Sequence, residues 1–336
     1  MRDDDIITPV WVLTGFLGSG KTTLLSRLMR HREMRDTAVI VNEWGEVGLD
    51  HRLVAESAEN NVLLLDSGCL CCAMGDDLAE TMTDLFHKRG RGEIPHFDRL
   101  VIETTGLADP GPIIGTLLAD RVMTSRYRLA AVLTVIDGLL GLKQFEQHKE
   151  PARQAALADR IIIAKRDLIS DADEAALIAR LRAENPRAEI ISAIRGDVSP
   201  GRLLAFASEQ PGGPDHHAEG RTHDHEHGHD TEHRHSDGVE TVFVPFPRVL
   251  RWSEYAALVT HLQRRFGAAL WRTKGLIRLE DEPTPMAVQG VQVLFAPPTA
   301  VENAEEARLG LVLIGEGLGA AAGLMTELAP YGAATN

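Results

Sequence analysis

The run Val10-Trp11-Val12-Leu13-Thr14-Gly15-Phe16-Leu17-Gly18-Ser19-Gly20-Lys21-Thr22-Thr23-Leu24-Leu25 decides the fold. An apolar strand leads into G-x-x-x-x-G-K-T, and a helical run follows directly. Glycines in such a loop let successive backbone N–H groups converge on phosphate oxygens at a helix N-terminus. Gly15, Gly18, Ser19, Gly20, Lys21, Thr22 and Thr23 are therefore the candidate phosphate cradle. Lys21 is placed to neutralise β/γ oxygens, and the Thr22 hydroxyl to ligate magnesium.

Outward from this loop, short apolar runs alternate with helical patterns over the first two hundred residues, the signature of a mostly parallel sheet covered by helices. Strands are predicted at Pro9–Thr14, Thr37–Asn42, Val62–Asp66, Arg99–Glu103, Leu129–Ile136, Arg160–Ala164 and Ala188–Ser192. Helices are predicted at Lys21–His31, Gly75–Lys88, Pro112–Ala119, Gly138–Gln147 and Asp173–Glu184. From Asp215 to Asp237 the composition changes to eight histidines, seven acids and two arginines, with no Val, Ile, Leu, Phe or Met. Such a stretch cannot bury a core and reads as a linker.

Beyond it, Val239–Pro245, Leu270–Leu279, Met286–Phe295 and Arg308–Ile314 read as strands, and Trp252–Phe266 and Leu318–Leu328 as helices, with Ser253 a candidate cap. The expected architecture is α/β: a P-loop domain over residues 1–212, a His-rich linker over 213–238 and a small α+β domain over 239–336.

Composition narrows the class further. A chain of 336 residues at 44% hydrophobic can bury a large core, and a formal net charge of -14 offers no basic stripe to nucleic acid. The acidic start Met1-Arg2-Asp3-Asp4-Asp5 carries no long apolar run, so neither export nor membrane insertion is expected. All three cysteines sit at Cys69, Cys71 and Cys72, too close for a disulfide framework, which fits reduced thiols in the cytoplasm.

Two more phosphate-domain elements follow from apolar strands. Leu100-Val101-Ile102 ends in Glu103-Thr104-Thr105-Gly106. There Glu103 can hold magnesium through water or position the attacking water, and the Gly106 N–H can sense the γ-phosphate. Lys21, Glu103 and Gly106 are thus the catalytic candidates. Ala164-Lys165-Arg166-Asp167 stands where guanine-selective loops read Asn-Lys-x-Asp. Asp167 can still accept from guanine N1–H and its exocyclic amine, which adenine cannot reproduce. GTP is favoured, with Lys165, Asp167 and a contact from Ser192-Ala193 around the base, while a missing amide softens selectivity.

Cys69-Leu70-Cys71-Cys72 brings two or three soft sulfurs within reach of one ion, suited to zinc, cobalt or monovalent copper rather than magnesium. A following helix N-terminus favours the thiolate. His223, His225, His227 and His229 form a further, low-affinity tract, read either as a metal collector or as a solvated linker.

These motifs closely resemble the CobW-type metallochaperone GTPases over almost the whole length. The likeness rests on Gly15–Thr23, Asn42–Asp50, Gly68–Cys72, Glu103–Pro110 and Trp271-Arg272-Thr273-Lys274-Gly275. The resemblance implies metal capture by Cys71 and Cys72, with Glu46 a candidate acidic ligand and Glu43 a further one.

The expected function is then a GTP-hydrolysing metallochaperone that binds zinc, or alternatively cobalt, at C-x-C-C in the presence of Mg·GTP. It would deliver the ion to a client metalloprotein. The expectation includes no nucleic acid, no membrane partner and a homodimer as one assembly state, since a second subunit or partner could supply the arginine finger the chain does not obviously offer. The alternatives are a cytoplasmic metal buffer or sensor with a nucleotide switch, and a P-loop ATPase or kinase with a structural zinc site.

Overall fold

The computed structural model describes residues 7–41, 63–66, 76–204, 239–301, 304 and 307–334. Seven parallel strands form the first sheet, in the order β3-β2-β4-β1-β5-β6-β7. They are β1 (Thr8–Thr14), β2 (Thr37–Val41), β3 (Leu63–Asp66), β4 (Arg99–Glu103), β5 (Tyr127–Asp137), β6 (Arg160–Ala164) and β7 (Glu189–Ser192).

Side chains alternate across a strand, and here both faces are apolar. Val10 and Val12 of β1, Ala38 and Ile40 of β2 and Leu100 and Ile102 of β4 pack in one cluster. Trp11, Leu13, Val39, Val41 and Val101 pack in the other. The first cluster is covered by helix α2 (Asp76–Gly90), through Leu78, Met82 and Leu85, and by α3 (Gly111–Ala119), through Ile114, Leu117 and Leu118. The second is covered by α1 (Lys21–Leu28), through Leu24, Leu25 and Leu28.

The second sheet runs β12-β11-β10-β14-β8, where β12 is Leu294–Phe295, with β9 (Val249–Leu250) paired to β10 and β13 (Thr299–Ala300) paired to β11. Its longer members are β8 (Val239–Pro245), β10 (Leu270–Leu279), β11 (Met286–Val291) and β14 (Gly310–Glu316). One face is covered by Tyr255, Leu258, Leu262 and Phe266 from the helix Trp252–Phe266, and by Leu324 and Leu328 from Ala321–Leu328. The opposite face sends Val239, Trp271, Val291 and Ile314 into the core of the first domain. Burying such side chains is worth about 1.5–3 kcal/mol each, so the sheet is docked rather than tethered.

A buried charge cluster reinforces this seam. Asp159 Oδ1 accepts from Lys274 Nζ at 2.7 Å, Arg272 approaches its Oδ2 at 3.5 Å, and the Val132 N–H donates to Oδ2 at 2.8 Å. Burial disfavours the Asp159 carboxylate, but Lys274 and Arg272 outweigh it and hold its pKa below the usual range.

Most predicted elements are present within two or three residues, and the departures have local causes. The first helix ends at Leu28 rather than His31, because the Arg30 and His31 N–H groups bond Arg27 and Leu28 in tighter turns. The expected helix Gly138–Gln147 starts at Gly141, since Asp137 Oδ1 takes the N–H groups of Leu139 and Leu140 into a turn. The expected strand Met286–Phe295 folds back on itself as β11 and β12 (Leu294–Phe295), pairing Val291 with Leu294 across Gln292, whose φ is +54°. Ser253 does not cap its helix. The Arg251 N–H is held instead by the Glu254 carboxylate at 2.8 Å. Three short helices escaped the sequence reading: Arg121–Arg126, Glu150–Leu157 and Pro200–Leu204. Among the described residues no helix is long and apolar enough to cross a membrane.

Candidate functional site

The phosphate loop leaves β1 at its carboxyl end, where ligands bind in open parallel sheets. Gly15 has φ +144°, and a Cβ there would lie 2.2 Å from the Val135 carbonyl oxygen, so only glycine fits. Lys21 opens α1 and turns back over the loop, its Nζ donating to the Gly15 carbonyl at 2.8 Å and to that of Phe16 at 3.2 Å. Its ammonium is thus already held at the mouth of the loop. The Ser19 hydroxyl is buried with no hydrogen-bond partner among the described residues. That buried polar oxygen, beside a lysine and the start of a helix, suits phosphate oxygens.

Next to the loop, the Thr22 hydroxyl donates to Glu103 Oε1 at 3.0 Å. The pair joins the start of α1 to the end of β4 and presents two hard oxygen donors, the donor type that magnesium takes. After Glu103, the Thr104 N–H bonds the Leu13 carbonyl at 2.9 Å and its hydroxyl donates to Thr14 Oγ1 at 2.8 Å. These bonds hold the turn to the phosphate loop. At Gly106 a Cβ would come 2.6 Å from the Leu17 N and 2.7 Å from its Cα, so turn and loop touch backbone to backbone.

The base-side loop lies at the ends of β5 and β6. Lys165, with φ +57°, sends Nζ to the Gly18 carbonyl at 2.8 Å and to Asp137 Oδ2 at 2.6 Å. It therefore braces the phosphate loop from outside. Asp167 sits beyond it, 3.8 Å from Arg195 Nε and accepting a long contact from the Arg195 N–H at 3.4 Å. The Ala193 N–H is bonded to the Ile163 carbonyl and its own carbonyl to the Arg166 N–H. The Ser192 hydroxyl donates to Glu174. Asp167 is thus a partly exposed carboxylate at the end of β6, next to Arg195.

Asp167→Ala is expected to weaken GTP binding about 10- to 100-fold, the worth of a charge-assisted pair, while ATP binding changes little. Competition titration of the two nucleotides measures it. Equal losses for both would remove Asp167 from base recognition.

Gly15, Gly18, Ser19, Gly20, Lys21, Thr22, Thr23, Glu103, Gly106, Lys165 and Asp167 thus lie at or after the carboxyl ends of β1, β4 and β6. The predicted ligands Cys69, Cys71, Cys72 and Glu46, the neighbouring Glu43, the segment Asn42–Asp50 and the tract His223, His225, His227 and His229 lie outside the described residues. Among the described residues, no group of three or more His, Cys, Asp or Glu could hold a metal ion.

Two residues of this site were missed by the sequence reading. Asp137 closes β5 and pairs with Lys165. An acidic residue ending a buried strand just before Gly138 was the available signal. Gln154, fully buried, donates to the carbonyls of Gly106 at 3.2 Å and Ala108 at 3.1 Å. No sequence pattern announces that contact.

A strand–glycine loop–helix with its lysine turned onto the loop and an acidic second strand alongside defines a P-loop nucleotide-binding protein. Residues 9–192 match the family model described as the CobW/HypB/UreG nucleotide-binding domain, and residues 239–327 match the cobalamin synthesis protein cobW C-terminal domain. The chain belongs to the CobW family. It is 33% identical over 290 residues to the zinc chaperone YjiA of Escherichia coli, spanning 85% of this chain and 87% of that one. It is 31% identical over 320 residues to the zinc chaperone CobW of Pseudomonas aeruginosa, spanning 85% and 81%. The crystal structure of Zn(II)-bound YjiA GTPase from E. coli superposes with a TM-score of 0.68 at 28% identity, covering 97% of this chain and 99% of that one.

Proposed function

We propose that this GTPase is a metallochaperone that captures zinc at Cys69, Cys71 and Cys72 when Mg·GTP is bound and passes it to a client metalloprotein after hydrolysis. Cobalt is the second candidate cargo. One observation carries the reading: the parallel register aligns Asp66 with Val41 and Val41 with Glu103, so the end of β3 stands two strands from the magnesium-side carboxylate. Neighbouring strands are about 4.8 Å apart, which puts Asp66 roughly 10 Å from Glu103. Cys69 follows Asp66 by three residues, and covalent geometry keeps it within about 11 Å of that strand end.

Lys21 and the loop amides would hold the β- and γ-phosphates, and the Gly106 N–H would meet the γ-phosphate. Thr22 and Glu103 would hold magnesium, which neutralises charge developing between those phosphates. Asn42–Asp50, which follows β2 in sequence, would be the element whose order depends on the nucleotide and which brings Glu46 toward the thiolates. Loss of the γ-phosphate removes those contacts, lowers metal affinity and releases the ion. The His tract would raise the local metal concentration without forming the tight site.

The test replaces Cys71 and Cys72 together by serine. Zinc affinity in Mg·GTP is expected to fall by about 10³-fold or more, because hard hydroxyls are poor zinc ligands, while GTP affinity is kept. Unchanged zinc affinity in the double variant would remove the assignment. Loss of the tight site on deleting Asp215–Asp237 would instead favour a buffer built on the histidines.

A further inference from the structure

The Gly106–Asp109 turn is gripped from the helix Glu150–Leu157 by two neighbouring side chains, Gln154 and Arg153. Gln154 lies fully buried beneath the turn, and its amide nitrogen is shared between the Gly106 and Ala108 carbonyls. Its backbone carbonyl accepts from Thr134 on β5 at 2.9 Å, which fixes the helix to the sheet. Arg153 forms an ion pair with Asp109 Oδ2 at 2.8 Å, and its guanidinium lies 4.8 Å from the ring centre of Trp271 on β10. A second link leaves the same turn. Asp109 Oδ1 accepts from the Gly111 N–H at 2.8 Å at the start of α3, and Gly115 of α3 packs against Leu294 of the second sheet.

We infer that Gln154 and Arg153 are positioning residues that set the place of the Gly106–Asp109 turn and transmit its displacement to Trp271 in the second domain. The inference rests on the reading that Gly106 meets the γ-phosphate; it does not depend on metal transfer. The physical reason is the inequality of the two grips. Gln154 is anchored in the core and cannot follow the turn without losing a buried bond, which concentrates movement at Asp109. Arg153 is tied at one end to that carboxylate and at the other to an aromatic face through the ring quadrupole. A shift of Asp109 by about an ångström therefore changes the environment of Trp271 directly.

The experiment uses the full chain labelled with 5-fluorotryptophan, with the fluorine resonance of Trp271 assigned from Trp271→Phe. Spectra are taken with GDP and with a non-hydrolysable GTP analogue. The Trp271 line is expected at different positions in the two states of the native protein. In Arg153→Met the positions should coincide, and in Arg153→Lys, which keeps the charge, the difference should return in part. Gln154→Leu should lower kcat about tenfold, with KM for GTP within about twofold.

A Trp271 difference that survives unchanged in Arg153→Met overturns the inference, as does a native line that does not move. Turnover of Gly106→Ala separates the two failures. If it is lost while the native line is still, only the transmission is wrong; if it is kept, the reading of Gly106 is wrong too. Should Gln154→Leu fail to fold, the variants of Arg153, whose side chain is 31% exposed, still decide.

Discussion

Lys21→Ala is expected to weaken GTP binding by about 10²–10⁴-fold. In the structure the ammonium is fixed by two carbonyls of its own loop, Gly15 and Phe16, so on the proposed reading it is preorganised for the β- and γ-phosphate oxygens. Charge-assisted hydrogen bonds are worth about 1.5–3 kcal/mol each, and a lysine shared between two phosphates makes two of them. The loss falls on affinity, because these contacts exist in the ground state as well as in the transition state. Equilibrium titration with a fluorescent GTP analogue measures it. Affinity retained within about fivefold would mean that the phosphates lie somewhere other than this loop.

Gly106→Ala is expected to act on turnover instead. The new methyl carbon would sit 2.6 Å from the backbone N of Leu17, a contact that no side-chain rotation can relieve. The turn must therefore move off the phosphate loop, and with it the N–H proposed to meet the γ-phosphate. A misplacement of about an ångström in a positioned group costs about 10²-fold in rate. Single-turnover hydrolysis should slow by that factor, while GDP, which lacks the γ-phosphate, should bind within a few-fold of its native affinity. A variant with native turnover would show that Gly106 takes no part in the chemistry.

The fold was legible in the sequence where local pattern and tertiary role coincide. The parallel sheet is covered on both sides, so its strands are continuous apolar runs, and Arg99–Glu103 and Arg160–Ala164 were placed to the residue. The phosphate loop was legible because phosphate binding needs glycines, a lysine and a hydroxyl at fixed spacing. What escaped depends on partners far away in the chain. The helix Glu150–Leu157 is short and alanine-rich, and its apolar face is settled by β5 and by Trp271 rather than by its own periodicity. Gln154 reads as an ordinary helix residue until the Gly106 carbonyl, 48 positions away, is brought against its amide.

The second domain illustrates the same limit. Its longer strands were found, yet the sequence did not show that one face of its sheet is buried against the first domain. Strand β10 supplies Leu270 and Ile277 to one side and Trp271 to the other, with a register shift between Leu270 and Arg272. The seam is closed by Arg272 and Lys274 pairing with Asp159, which lies 113 and 115 positions before them, so no local pattern announces it. A sheet so docked can respond to the nucleotide domain; a domain hung on a free linker could not.

The most direct test of the central claim is competitive zinc titration of the full chain under three conditions: Mg with a non-hydrolysable GTP analogue, Mg·GDP, and no nucleotide. Coupling between two sites in one protein typically amounts to about 5- to 150-fold. The account predicts zinc binding at least about tenfold tighter with the GTP analogue than with GDP, and a gain lost in the Cys71/Cys72 serine variant. Equal zinc affinity in all three conditions would contradict it.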